Sequence, residues 1–522
     1  MKPSQVFNRL RIKFGKGCPL GVAVTDNLTN IQKVESPESL DFDPVFIARF
    51  PVAGLMEDTI AILHSSKKMD WKSTWEFEDK SALWNFNLHY FEYLFPLVKA
   101  WKETGDKKYL EKTVQMIKGW IDANPVGKSP AWASYTTALR IVTWISWYGY
   151  VGDVLEDGIR EKFLSSLHEQ YKYLSFHLEK DILGNHYFED LKSLVLASIF
   201  FKDDAVFKKA LTDFKGECKE EILPDGMHFE LSPMYHKIIF EGMMRVAVAL
   251  RDVGRKDPEI ESYLQPMLDV AYSFEDGLDR VPLFNDGGNN VAKSLDALVI
   301  TADALGYKPE FRGQLKDSGF YIFQKVVDGH TWKLVVDAGQ PGPKYIPGHA
   351  HCDAMSFELF CDGKPVVVNC GTYAYQCKER SFFRSTAAHN TVMVDGTEQS
   401  QCWGAFRLAK RSQVRVLDVT DSSITMEMTD QKGQEVKRTI EFSDAGFTVT
   451  DTADGRQMAS FIHNLENMGA VTTAARTEKH TDLYAVDYGT KIEILSLKIS
   501  SENHIDVNID LKELVSKMGV TT

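Results

Sequence analysis

GFYIFQKVV, residues 319–327, and TWKLVVDAG, residues 331–339, decide the fold. Both runs are short, alternating and rich in β-branched and aromatic residues, which predicts strands with one face buried. MSFELFCDGKPVVVNCG (355–371) and NTVMVDGTEQ (390–399) continue the pattern, and Asp362-Gly363 and Asp395-Gly396 offer hairpin turns. SSITMEMTD, KRTIEFSDAGFTVTDTADG and IEILSLKIS carry it to about residue 510.

Upstream the texture is helical, from about Trp84 to Leu305. LHYFEYLFPLVKAW (88–101) sets Leu88, Phe91, Phe95, Val98 and Trp101 on one face, with a bend expected at Pro96. TGDKKYLEKTVQMIKGWIDANP (104–125) opens on a Gly105-Asp106 turn and carries Tyr109, Leu110, Val114, Ile117 and Ile121 at helical spacing. It stops at Asn124-Pro125. SYTTALRIVTWISWYGYV, IREKFLSSLHEQYKYLSFHL and HKIIFEGMMRVAVALRDVG follow the same logic. Repeated helix pairs joined by short turns predict stacked αα-hairpins, a solenoid or a closed toroid. The expected fold is multidomain α+β. An irregular segment covers 1–45, an (α/α) toroid of stacked helical hairpins covers 46–315, and an antiparallel β-sandwich covers 316–522.

The 522 residues are 44% hydrophobic and 25% charged, ordinary for a globular chain with a large core. A net charge of −13 argues against a nucleic-acid partner, though a cleft can still attract an anion. The seven cysteines, Cys18, Cys218, Cys352, Cys361, Cys370, Cys377 and Cys402, form no C-x-x-C pair, which argues against a disulfide framework. No run has the length of a membrane span. The basic N-terminus MKPSQVFNRLRIKFGKGCPL lacks the apolar stretch of a secretion signal. That suits a cytoplasmic location, or a periplasmic or secreted one if the chain is a mature form. Oligomeric state is not legible.

Four clusters carry chemistry. LGNHYFED (183–190) puts Asn185 and His186 beside Glu189 and Asp190 at the start of an apolar helix, where a cap is the competing explanation. LPDGMHFELSPMYHKIIFEG (223–242) gathers Glu230, Tyr235 and His236 around a Ser232-Pro233 helix start. Arg140 lies in an apolar helix and needs a buried carboxylate or a ligand anion. PGHAHCDAMSFELF (347–360) sets His349 and His351 two residues apart, hence on one side of a strand. Asn369 and His389 come from neighbouring strands. Two histidines and a third oxygen or nitrogen donor make an acceptable metal shell. Around them Lys378, Arg380, Arg384, Arg407, Lys410 and Arg411 outnumber Glu379, Asp395 and Glu398.

Asn185-His186, SPMYH (232–236), GHAHCDAMSFELF (348–360), VVVNCGTYAY (366–375) and HNTVMVDG (389–396) stand in the order of the heparinase II/III-like polysaccharide lyases, which include alginate lyases. The chain resembles that family over about residues 80–415. The resemblance implies that Asn185, with His186, neutralises a uronate carboxylate, and that Tyr235 and His349 are the acid/base groups. It also implies that His351, Asn369 and His389 hold a divalent ion such as zinc, manganese or calcium. Relatives commonly carry aspartate where this chain has Asn369. Arg140, Glu230, Arg384, Trp132 and His89 are expected to line the sugar path.

The implied reaction removes the C5 proton of a uronic acid and expels the oxygen at C4, leaving a 4,5-unsaturated end. Neutralising the carboxylate should be the largest electrostatic contribution. A base must reach C5 and an acid must reach O4. For glucuronate both lie on one face and Tyr235 can serve twice; for iduronate His349 would take the proton. Substrates in view are hyaluronan, chondroitin, heparan sulfate and alginate, with weakly sulfated polymers favoured by the acidic chain. Alternatives are a metal-dependent hydrolase, since HAHCD mimics an H-x-H-x-D site, a glycoside hydrolase using two carboxylates, or a non-catalytic glycan-binding protein.

Overall fold

The computed structural model describes residues 2–13, 30–128, 130–289, 291–444, 446–464 and 470–517. Cys18 lies outside them, and the other six cysteines are free. The chain forms two compact units. One comprises Met1–Glu221, Ile238–Gln265 and Ala292–Lys308; the other comprises Ile222–Lys237, Pro266–Val291 and Pro309–Thr522. The division does not follow the change of texture near 318. Two stretches of the helical half cluster with the strands, and they carry Tyr235 and Asp286.

The first unit is built of helices whose ends obey local chemistry. Leu94–Thr104 ends on Gly105 at φ 70°, where no Cβ obstructs the left-handed turn. Asp106 then caps Lys107–Ala123 by accepting from the Lys108 N–H, and Asn124 closes that helix. Ser134–Val151 and Asp157–Phe176 follow. The bend expected at Pro96 is instead a break: Ala82–Leu88 ends, Phe91 takes φ 67°, and a new helix starts at Leu94. Pro96 sits in its first turn, where a missing N–H breaks no hydrogen bond. The segment expected to be irregular contains a helix, Pro3–Lys13. Tertiary bonds from the Gln5 amide to the carbonyls of Asp181 and Ile182 hold it, which no local pattern reveals. Trp84, Trp120, Trp144 and Trp147 fill the core. Among the described residues no helix is long and apolar enough to cross a membrane.

The second unit is antiparallel β-structure. Phe320–Val327 pairs with His330–Asp337, which pairs with Phe357–Cys361, which turns at Asp362-Gly363 into Lys364–Val367. Both residues of that turn have positive φ, 48° and 83°, the geometry of a tight hairpin. Two long strands, Gly446–Asn464 and Ile492–Ile509, pair along their length except for a slip between Thr452 and Gln457. Leu334, Val336, Phe357, Leu359, Ile440, Phe447, Val449 and Ile499 belong to one buried apolar core. A buried ion pair, Arg438 with Asp451 (2.7 Å), fixes this core's polar edge, and Arg438 also donates to the carbonyls of Met355 and Asn390. Residues 341–356, with both histidines of the HAHCD run, are a loop between two strands. The expected same-side placement on a strand therefore does not hold; the strand begins only at Phe357.

Candidate active site

The second unit converges on one carboxylate. Asp286 is fully buried and accepts from His349 Nδ1 (3.0 Å), His351 Nε2 (2.9 Å), Thr372 Oγ1 (3.1 Å) and the Arg380 guanidinium, whose Nη2 lies 2.7 Å away. Burial alone would raise its pKa, but Arg380, His349 and His351 together hold it well below the usual carboxylate range. The backbone around it is equally tied. Asp286 N donates to the His349 carbonyl, Asn285 N to Asp353, and the Asn285 side chain reaches both Leu231 O and His351 N. Asn285 takes φ 55°, a conformation its short side chain tolerates.

Tyr235 stands in the first turn of the Pro233–Asp252 helix. Ser232 accepts from the Tyr235 N–H and donates to the Asp286 carbonyl at 2.6 Å, so the cap that starts the helix also ties it to the carboxylate loop. Beneath it His236 accepts the His228 N–H at Nδ1 and donates from Nε2 to the Met267 carbonyl. The Tyr235 and His349 ring centroids are 4.2 Å apart. Because Asp286 takes the proton on His349 Nδ1, Nε2 is the ring's lone-pair nitrogen in the neutral form. Tyr235 Oη lies 2.7 Å from Tyr375 Oη, and burial raises the Tyr235 phenol well above its ordinary range.

His351 and His389 face each other, with Nδ1 and Nε2 3.2 Å apart. Asp353 joins them, and the three ligand atoms lie within 4.8 Å of one another. Burial pushes the His351 imidazole down to about 3 and lowers that of His389, so both are neutral donors. Asp286 behind His351 and the Ser385 carbonyl behind His389 (2.8 Å) orient the rings as outer partners orient metal ligands. The donor set fits a divalent ion. Asn369 is engaged elsewhere. Its amide oxygen accepts from Asn390 N (3.0 Å) and its amide nitrogen donates to the Leu283 carbonyl (3.1 Å). With side chains 0–2% exposed, the cluster is closed, the form of structural rather than catalytic metal sites.

In the helical unit Asn185 is the first residue of the Asn185–Phe200 helix, and the cap position is Gly184, without a side-chain cap bond. Leu183 and Gly184 both take positive φ, 66° and 61°. A leucine held there is strained, and such strain gathers at functional turns. His186 is 36% exposed, lies 3.0 Å from Glu179 through Nδ1 and packs on Tyr135 at 4.5 Å. His89 lines a pocket of about 360 Å3 with Trp75, Glu76, Glu78, Asn124 and Lys128. It accepts the Trp120 indole N–H at Nδ1 (3.0 Å), so its proton is on Nε2.

Four residues expected to touch sugar face inward instead. Arg140 is 0% exposed, bonds to Gln170, Ala131 O, His89 O and Thr137, and lies 4.0 Å over the Trp120 ring. Neutral acceptors and an aromatic face thus replace the expected carboxylate or anion. Arg384 donates to the carbonyls of Ala350, Gly404, Ala405 and Arg407, a purely structural set. Trp132 packs on Trp120 and Tyr173 and donates to Asn124 O. Glu230 is 1% exposed. Sequence reasoning missed Asp286 and the place of Asp353 beside His351 and His389. Asp286 hides in LFNDGGNN (283–290), where Asn-Asp-Gly-Gly reads as an ordinary turn.

The family model described as Heparinase II/III N-terminus matches residues 45–306, and Heparinase II/III-like, C-terminal matches 309–512. A heparin-sulfate lyase of Pedobacter heparinus is 26% identical over 367 residues, 63% of this chain and 54% of that protein. A heparin-sulfate lyase of Bacteroides stercoris is 24% identical over 450 residues, 75% of this chain and 65% of that protein. The chain thus spans between about half and two thirds of the length of these relatives. A crystal structure of heparinase III shares the fold, with a TM-score of 0.67 and 16% identity over 97% of this chain and 92% of that one.

Proposed function

Because the chain belongs to the heparinase II/III-like family, matched over 45–306 and 309–512, we propose that it is a polysaccharide lyase acting on a heparan-type, uronate-containing polymer. The reading rests chiefly on one geometry: a phenol and an imidazole 4.2 Å apart, the imidazole oriented by a buried carboxylate. That pair supplies what β-elimination needs, a base for C5 and an acid for O4. Tyr235 would protonate the leaving oxygen and, for glucuronate, first take the C5 proton. His349 would take that proton from iduronate through Nε2. Asn185 and His186 would neutralise the carboxylate, so that negative charge can develop on it.

His351, Asp353 and His389 would hold a divalent ion that stiffens the loop carrying His349. The closure of that cluster disfavours the metal-dependent hydrolase. Asp286, engaged by four donors, does not supply one of the two carboxylates a glycoside hydrolase needs. The names of the relatives favour heparan sulfate over hyaluronan, chondroitin and alginate.

The test is incubation with each of the four polymers, following the ultraviolet absorbance of the 4,5-unsaturated uronate. Absorbance should rise with heparan sulfate and vanish in Tyr235→Phe while the variant stays folded. Reducing ends without absorbance would make the protein a hydrolase. A normal rate in Tyr235→Phe would remove Tyr235 from its role.

A further inference from the structure

Three tyrosines far apart in sequence meet hydroxyl to hydroxyl. Tyr235 Oη lies 2.7 Å from Tyr375 Oη, and Tyr375 Oη lies 2.7 Å from Tyr488 Oη. Tyr488 is 3% exposed, and its N–H is held by the Asp487 carboxylate at 2.8 Å. Gly288 leaves room for its ring: a Cβ there would stand 2.8 Å from Tyr488 Cδ2. Phe406 packs on Tyr375 at 5.1 Å, and the Arg380 guanidinium stands 5.3 Å from the Tyr375 ring centroid. The charged groups facing the three phenols are Asp286, Glu230 and Arg380, with the Asp487 carboxylate beside Tyr488 and His349 against Tyr235. Asp286 and Arg380 form an ion pair.

Resting on the reading of Tyr235 as the acid/base group, we propose that Tyr375 and Tyr488 are positioning residues that stabilise the phenolate form of Tyr235 through a chain of donated hydrogen bonds. Either role of Tyr235 passes through that form. As an acid it gives its proton to O4 and is left as phenolate; as a base it starts as phenolate and takes the C5 proton. A phenolate has no proton to donate, so its contact with Tyr375 becomes Tyr375 O–H donating to Tyr235 O−. Tyr375 has then used its one proton, and its oxygen can accept from Tyr488 O–H. Each donor polarises the next and negative charge spreads over three oxygens. Tyr375 Oη is the hydroxyl within hydrogen-bond reach of that oxygen, so without the chain a Tyr235 phenolate would lose a donor.

The experiment compares wild type with Tyr375→Phe, Tyr488→Phe and Gly288→Ala across pH. A hydrogen bond to a charged oxygen is worth enough to move an ionisation by about one pH unit. In Tyr375→Phe the limb of the kcat/KM profile that belongs to Tyr235 should move alkaline by about that much, with kcat down about tenfold and KM little changed. Tyr488→Phe and Gly288→Ala should move it the same way by less. An unmoved profile, or an equal loss at every pH, overturns the chain. A second readout is free of activity. Ultraviolet titration of tyrosinate identifies the Tyr235 ionisation as the one missing in Tyr235→Phe, and it should rise in Tyr375→Phe. If it stays in place the chain is wrong even where the lyase reading stands. If it rises while no polymer is cleaved, the chain stands and the lyase reading falls.

Discussion

His351 Nδ1 and His389 Nε2 stand 3.2 Å apart, and in the neutral rings neither carries a proton. The Nε2 proton of His351 goes to Asp286 and the Nδ1 proton of His389 to the Ser385 carbonyl. Two lone pairs aimed at each other, with the Asp353 carboxylate beside them, are repulsive until a cation comes between. A divalent ion at about 100 times its Kd is therefore expected to add about 2.7 kcal/mol of stability, seen as a rise in Tm that a chelator reverses. Ion content of purified variants identifies the third ligand. Asp353→Asn should lose the ion, and Asn369→Ala should keep it at lower stability. The opposite pattern would restore Asn369 to the ligand set.

Asp286 holds together Arg380, His349, His351 and Thr372. Asp286→Ala leaves the buried guanidinium of Arg380 without its counter-ion and should cost about 3–5 kcal/mol in denaturant unfolding. Asp286→Asn keeps the shape and loses the charge. It should lower kcat about tenfold or more by releasing His349, with a smaller loss of stability. An Asn variant as stable as wild type would mean that the charge is not what binds the cluster.

The helical half was legible because its apolar spacing and caps are local: Ser134–Val151 coincides with SYTTALRIVTWISWYGYV, and Asp106 and Asn124 bound a helix as their chemistry dictates. Strands were legible at Asp362-Gly363 for the same reason. What failed depends on tertiary partners. Arg140 looked like an anion site because its acceptors, Gln170 and two carbonyls, come from other elements. Asp286 looked like a turn residue because its four donors lie 63 to 94 residues away. Asn369 stood where the family motif has a ligand, yet its amide closes a hydrogen-bond circuit with Asn390 and Leu283.

Gly371, in VVVNCGTYAY, has φ 73°, and a Cβ there would meet Ala485 O at 2.0 Å. The neighbouring Cys370 carbonyl accepts from Ala485 N at 2.8 Å, so the two segments cannot separate without breaking that bond. Gly371→Ala should cost about 3 kcal/mol or more, from strain and the clash together. Gly396, at φ 64° with nothing within 4 Å, is the control. Its alanine variant should cost only the left-handed backbone penalty, about 1–2 kcal/mol. Equal losses would show that conformation alone, not close approach, fixes Gly371.

Burial pushes His236 down to about 3, and its ring accepts the His228 N–H and donates to Met267 O, bonds that only the neutral form makes together. The unfolded chain protonates this histidine near pH about 6.5, while the native state does not. Its contribution to stability is therefore complete above that pH. It is lost as pH falls toward the folded value, at about 1.4 kcal/mol per pH unit for one proton. Gln can replace both bonds without a titratable ring. His236→Gln should be less stable than wild type by about 1–2 kcal/mol at pH above 7. As the medium is acidified the wild type should lose ground to it with the one-proton slope. Denaturant midpoints of the two proteins, followed downward from neutral pH, should converge and cross; parallel curves would mean that His236 does not titrate on unfolding.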